Sequence, residues 1–289
     1  MSECTHNCST CGESCSERTA PQSLRKAPHP ESHIGKVFGV VSGKGGVGKS
    51  MVTSQLAVTM HRRGFKVGVM DADITGPSIP QAFGVHDKAV GTQTALYPCV
   101  SRSGIEIMSI NLLLEDETDP VIWRGPVIGG VVQQFWTDVA WDVDYLFVDM
   151  PPGTGDVPLS VFQSIALDGI IVVTSPQELV SMVVEKAVKM AEKMDVPIVG
   201  VVENMSYYEH KGEKLRIFGE GGGARVSEQL THSLGYEVPM LAQLPLEPEL
   251  RETGEAGRPA VLTKEGALRS DGIGETFKNL AESLMRLPQ

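Results

Sequence analysis

The sequence predicts an α/β protein with a doubly wound, mostly parallel sheet and a flexible cysteine-rich tail in front of it. Three observations predict this. From residue 34 onward, short apolar β-branched runs alternate with longer amphipathic stretches, the order that gives a parallel sheet with helices on both faces. Several runs are apolar at successive positions, as strands buried on both faces are. The first 33 residues show neither pattern.

Residues 1–15 hold Cys4, Cys8, Cys11 and Cys15, four of the five cysteines in the 289-residue chain. Residues 16–33 are polar with three prolines and read as a linker without fixed structure. Residues 34–289 form the globular domain. Strands are expected at 37–41, 66–70, 106–110, 145–149, 169–174, 198–202 and 240–244. Helices are expected near 48–63, 126–138, 157–167, 178–194, 223–234 and 273–287. The last helix carries Ile273, Phe277, Leu280, Leu284 and Leu287 on one face. Its Lys278 and Arg286 are balanced by Glu275 and Glu282, so it reads as a core-packing helix, without the basic polar face of a membrane-surface helix.

Charge narrows the function. Lys and Arg number 25 against 36 Asp and Glu, a net charge of −11, which argues against nucleic acid or an anionic membrane as the main partner. No run reaches the roughly 18 apolar residues of a membrane span, and the N-terminus has no apolar segment of the secretory type. A cytoplasmic location is expected. There, clustered cysteines more often bind metal or do redox chemistry than form disulfides.

The chemistry gathers at the strand ends, where parallel sheets place their ligands. After strand 37–41 comes SGKGGVGKS, residues 42–50, which fits G-x-x-x-x-G-K-[ST] from Gly43 to Ser50. Gly43, Gly45, Gly46 and Gly48, with Lys44 and Val47 between them, let backbone N–H groups turn inward around phosphate oxygens. Lys49 supplies a point charge to the outer phosphates, and the Ser50 hydroxyl can ligate magnesium. The following helix directs its N-terminal dipole at the anion.

Two further strands end in carboxylates, at Asp71-Ala72-Asp73 and at Asp149 in DMPPGTGD. A magnesium–phosphate site needs one carboxylate to hold the metal's water shell and another to position the attacking water. Helix capping or turn formation is the plainer role open to such residues. Gly153 can offer its backbone N–H to the terminal phosphate. Strand 198–202 ends in Glu203-Asn204, and an Asn amide can read an adenine edge or simply form a turn.

The pattern K-G-G-x-G-K resembles the deviant-loop P-loop ATPases, which include Min/Par positioning proteins, nitrogenase iron proteins and Mrp-type iron–sulfur carriers. With MDADITGPSIP, WRGP at 123–126, VDMPPGTGD, TSPQE at 174–178, ENMSY and FGEGGG at 218–223, the chain is most similar to the Mrp-type iron–sulfur cluster carrier ATPases. The resemblance implies a homodimer in which Lys44 reaches the partner's nucleotide. It implies that Asp73 activates water, that Asp71 stands in the second shell of the magnesium ion, and that Asn204 reads the adenine.

Such carriers commonly have C-x-x-C shortly after the ENMSY segment. Here ENMSYYEHKGEKLRIFGEGGG contains no cysteine. The tail, C-x3-C-x2-C-x3-C, is the substitute in view. It could wrap an iron–sulfur cluster, 4Fe-4S by its four thiolates; it could hold zinc; or it could be a loose thiol tail. Its spacing does not match the N-terminal cluster motif of some relatives. The expected function is a magnesium-dependent ATPase that carries iron–sulfur clusters to apoprotein clients, with ATP, magnesium and the cluster as its small-molecule partners. A Min/Par-like positioning ATPase and a nucleotide-gated metal-binding regulator are the alternatives.

Overall fold

The computed structural model describes residues 25–74, 76–114, 125–153, 163–177, 180–247 and 259–286. Among them the strands are β1 (His33–Ser42), β2 (Val67–Asp71), β3 (Val90–Gly91), β4 (Leu96–Tyr97), β5 (Cys99–Val100), β6 (Glu106–Met108), β7 (Asp142–Asp149), β8 (Gly169–Thr174), β9 (Ile198–His210), β10 (Glu213–Leu215) and β11 (Met240–Pro245). The helices are α1 (Lys49–Arg62), α2 (Ile79–Phe83), α3 (Gly125–Thr137), α4 (Val180–Met194), α5 (Gly222–Leu234) and α6 (Gly272–Met285).

The main sheet runs β10-β9-β8-β1-β7-β2-β6-β5, with β11 also on β9. Pairing is parallel except at β10 and β5. The expected doubly wound sheet is therefore present. Its strands alternate between two cores. Val37 and Val41 of β1, Met70 of β2 and Val148 of β7 pack on one face with Ile128, Val132 and Phe135 of α3 and Val183 and Ala187 of α4. Phe38 and Val40, Val67 and Val69, and Phe147 pack on the other with Val52 and Leu56 of α1 and Phe277 and Leu280 of α6. The described part of the C-terminal stripe, Ile273, Phe277, Leu280 and Leu284, is thus core, as its balanced charges indicated, while Leu287 lies outside the described residues.

Several boundaries move. The strand expected at 106–110 stops at Met108 and gives way to a 3-10 turn at Ile110–Leu112. β9 runs well past the expected 198–202, because its outer half pairs with antiparallel β10. The chain is tied down before residue 34. The Lys26 N–H donates to the Ser164 carbonyl at 2.8 Å, and the Trp136 indole N–H donates to the Lys26 carbonyl at 2.8 Å. Residues 25–33 of the stretch expected as linker are therefore held against the body. Most of the helix expected at 157–167 lies outside the described residues. No described helix is long and apolar enough to cross a membrane.

Candidate nucleotide-binding site

β1 and α1 are joined by the glycine loop at the centre of the sheet. Gly46 and Gly48 have φ of 81° and 83°, a region open to glycine and strained for other residues. Gly48 has a second constraint, because a Cβ there would run into the Asn204 side-chain amide. An open cavity of about 220 Å³ lies over the loop, lined by Gly45, Gly46, Gly48, Lys49, Ser50 and Asp73 among others.

Beneath the loop, α1 and β7 meet in one polar cluster. Lys49 Nζ lies 2.7 Å from Asp149 Oδ2, both side chains almost fully buried. The Ser50 hydroxyl donates to Asp149 Oδ2 at 2.6 Å, and the Thr53 hydroxyl donates to Oδ1 at 2.8 Å. Asp149 therefore has three donors, which explains how a carboxylate can sit at the end of an apolar strand. In register beside it, β2 ends at Asp71. Asp71 accepts from the backbone N–H of Asp73, the backbone N–H of Ile79 and the Ser109 hydroxyl, each at 3.2 Å. Burial, and then the charge of Asp149, push the Asp71 carboxyl up to about 8, while Lys49 and the two N–H groups pull it down. A carboxyl held so far above its ordinary range is one that added positive charge would relieve. The oxygen donors of Ser50, Asp149 and Asp71 fit a hard divalent cation such as magnesium.

Asp73 is half-exposed on the cavity wall. Lys44 is exposed at the outer edge of the loop. The Gly153 N–H donates to the Ser42 carbonyl at 3.0 Å, so the expected phosphate contact requires that bond to be exchanged. Asn204 is buried, and its Nδ2 donates to the Val47 carbonyl at 2.8 Å. Its visible task is to hold the loop. Met205, directly after it, has φ of 57°, a strained conformation of the kind that collects at functional sites.

Three contributors escaped the sequence reading. Thr53 stands one helical turn after Lys49, and that spacing was a usable signal. Ser109 and Lys186, whose Nζ donates to the Gly43 carbonyl at 3.2 Å, arrive from distant elements without a local signature. Cys4, Cys8, Cys11 and Cys15 lie outside the described residues. Among those described, Cys99 is the one cysteine, and no three His, Cys, Asp or Glu side chains converge as a metal site. Cys99 Sγ donates to the Asp87 carbonyl at 3.4 Å, and burial pushes its thiol up.

A family model described as ParA, NUBPL iron-transfer P-loop NTPase, matches residues 33–285. The chain belongs to this family. An iron–sulfur cluster carrier protein of Clostridium perfringens is 45% identical over 248 residues, 82% of this chain and 85% of its own. Another, of Methanocaldococcus jannaschii, is 40% identical over 274 residues, 91% of each chain. A nucleotide-binding protein of Archaeoglobus fulgidus, solved in complex with ADP, is 41% identical with a TM-score of 0.68, covering 78% of this chain and 87% of that one. The septum site-determining protein MinD of Pyrococcus horikoshii, solved with Mg-ADP, has a TM-score of 0.59 at 22% identity and covers 88% of this chain and 97% of that one. It shares the fold. The resemblance to iron–sulfur carriers read from the motifs is thereby borne out, in an iron-transfer P-loop NTPase with the glycine loop, Lys49 and Asp149 drawn together.

Proposed function

We propose that this chain is a cytoplasmic, ATP-hydrolysing carrier that binds an iron–sulfur cluster and passes it to apoproteins as a nucleotide-gated homodimer. The observation that carries this reading is the Lys49–Ser50–Thr53–Asp149 cluster under a glycine loop, in a chain whose relatives at 40–45% identity are named iron–sulfur cluster carriers. The Min/Par reading has only the fold in its favour.

In this reading Lys49 exchanges Asp149 for phosphate oxygens when ATP enters, while the loop N–H groups take the remaining oxygens. Ser50 and Asp149 would hold magnesium, with Asp71 as a further carboxylate of the site, and the ion would neutralise charge on the phosphates. Asp73 orients the attacking water from the cavity wall. Lys44, exposed at the loop edge, reaches the partner protomer's nucleotide. Asn204 meets the adenine in addition to holding Val47. Cys4, Cys8, Cys11 and Cys15 hold the cluster as cargo, 4Fe-4S by their number. The acidic surface fits a partner set of protein clients, with neither nucleic acid nor membrane among them.

The test is iron and sulfide analysis with absorbance spectra on anaerobically prepared full chain. The wild type is expected to carry iron and sulfide in equal amounts, and the Cys8→Ala/Cys11→Ala variant to lose them. A wild type that takes up no cluster after reconstitution would remove the carrier reading. A variant that keeps its cluster would move the site away from the tail, and zinc in place of iron would favour the metal-binding regulator.

A further inference from the structure

The phosphate loop is held through its carbonyls. The Ser42 carbonyl accepts from the Gly153 N–H at 3.0 Å. The Gly43 carbonyl accepts from Lys186 Nζ at 3.2 Å. The Lys44 carbonyl accepts from the Ser42 hydroxyl at 2.9 Å. The Val47 carbonyl accepts from Asn204 at 2.8 Å, and the Gly48 carbonyl accepts from the Val52 N–H at 3.0 Å within α1. No described peptide is cis. In a planar trans peptide the C=O and the following N–H point in opposite directions. Each carbonyl fixed by such a partner therefore turns the next N–H the opposite way. For Gly43, Lys44 and Val47 those are the N–H groups of Lys44, Gly45 and Gly48.

We propose that Lys186 is a positioning residue of the nucleotide site, which fixes the Gly43–Lys44 peptide so that the Lys44 N–H faces the phosphates and the Lys44 side chain leaves the loop in a set direction. The proposal rests on the nucleotide-binding reading above and adds a residue that the glycine motif does not contain. Lys186 is suited to this task in three ways. It comes from α4, which Val183, Val184, Ala187 and Ala191 lock into the core, so the cation is delivered by a rigid element. Its neighbour Glu185 is paired with Lys189 one turn away, which leaves the Lys186 ammonium to the loop. Its side chain is half-buried, so the bond is a charge-assisted one with partial shelter from water. Lys44 is the residue expected to act across the dimer, and its backbone begins at the peptide that Lys186 holds.

The test compares Lys186→Met, Lys186→Gln and Lys186→Arg with wild type and with Lys49→Ala, all as full chain. Affinity for a fluorescent ADP analogue with magnesium, kcat and KM for ATP, and thermal midpoints are measured at 0.1 M and 0.5 M KCl. Lys186→Met and Lys186→Gln are expected to weaken ADP binding about tenfold and to lower kcat as well, with midpoints near that of wild type. Lys186→Arg is expected to recover most of the affinity. The tenfold difference is expected to persist at 0.5 M KCl, since a direct, partly sheltered bond is screened less than a remote surface charge. Wild-type affinity and kcat in both neutral variants, beside a Lys49→Ala chain that has lost ADP binding, would overturn the proposal. So would a difference that vanishes at high salt, which would make Lys186 a general attracting charge. If Lys49→Ala binds ADP as wild type does, the nucleotide reading itself fails and the proposal falls with it.

Discussion

Two structures grow from the same end of the sheet and are held in opposite ways. The loop between β1 and α1 is fastened by groups from three other parts of the chain, namely Gly153 after β7, Lys186 on α4 and Asn204 on β9. The β9–β10 hairpin is tied to β11 at its base, at Tyr207, and beyond that point is fastened to itself. Its side chains Glu213, Lys214 and Leu215 are exposed, Lys211 turns the tip at φ 52°, and Lys214 sits over the Tyr207 ring at 4.2 Å. Stronger support goes where charge must be met by prearranged dipoles. The hairpin continues from the ENMSY segment through Glu209-His210-Lys211, with no cysteine in it.

The comparison can be broken most forcefully at Lys49. Lys49→Ala is expected to weaken ADP binding at least a hundredfold. It also leaves Asp149 buried without its cation, a loss of about 3 kcal/mol that should appear as a lower thermal midpoint. Asn204→Ala comes next. A buried Val47 carbonyl without its donor costs about 1–2 kcal/mol, so titration should show roughly tenfold weaker ADP binding. The same variant sharpens the role of Asn204, because loss of adenine-over-guanine preference would add base reading to loop support, and an unchanged preference would confine it to the loop.

The hairpin should respond far less. Leu215 and Ile217 are 43% and 59% exposed, and the double change to Ser is expected to alter stability by no more than about 0.5 kcal/mol and ADP affinity by less than twofold. A larger drop in affinity would show that the hairpin and the loop are coupled after all. The smallest effect is placed far from both, at Glu106 on β6. Burial, more than the nearby Asp142 charge, raises its carboxyl, while the Asp142 N–H lowers it. A raised acid supports the fold fully below its unfolded value and withdraws that support as pH climbs through the folded one. The thermal midpoint of the wild type should therefore fall slightly more between pH 4.5 and 6 than that of Glu106→Gln. With the group partly exposed, the difference should stay near about 0.5 kcal/mol.

The loop and Asp149 were legible because glycines, lysine and a strand-end carboxylate stand at fixed spacing in one stretch of chain. Most of the longer strands were legible because burial on both faces leaves continuous apolar runs. What stayed hidden depends on contacts between distant segments. Lys186 reads as one more solvated charge on an amphipathic helix, since the carbonyl it meets is 143 residues earlier. Asn204 reads as a turn residue or a base reader until Val47 is seen beside it. The outer half of β9 has no apolar run, because Glu209 and His210 are held by pairing with β10 and not by burial. The edge strands β3, β4 and β5 are two residues each, too short for any periodicity.

The central claim is that nucleotide chemistry at Lys49 and Asp73 governs the delivery of a cluster held by the tail. The most direct measurement follows transfer from the anaerobically reconstituted full chain to apo-aconitase, read as recovered aconitase activity, with and without magnesium and ATP. The account predicts transfer that nucleotide changes in rate, with the nucleotide effect lost in Lys49→Ala and Asp73→Asn and transfer itself lost in Cys8→Ala/Cys11→Ala. Equal transfer by all four proteins, indifferent to ATP, would contradict it.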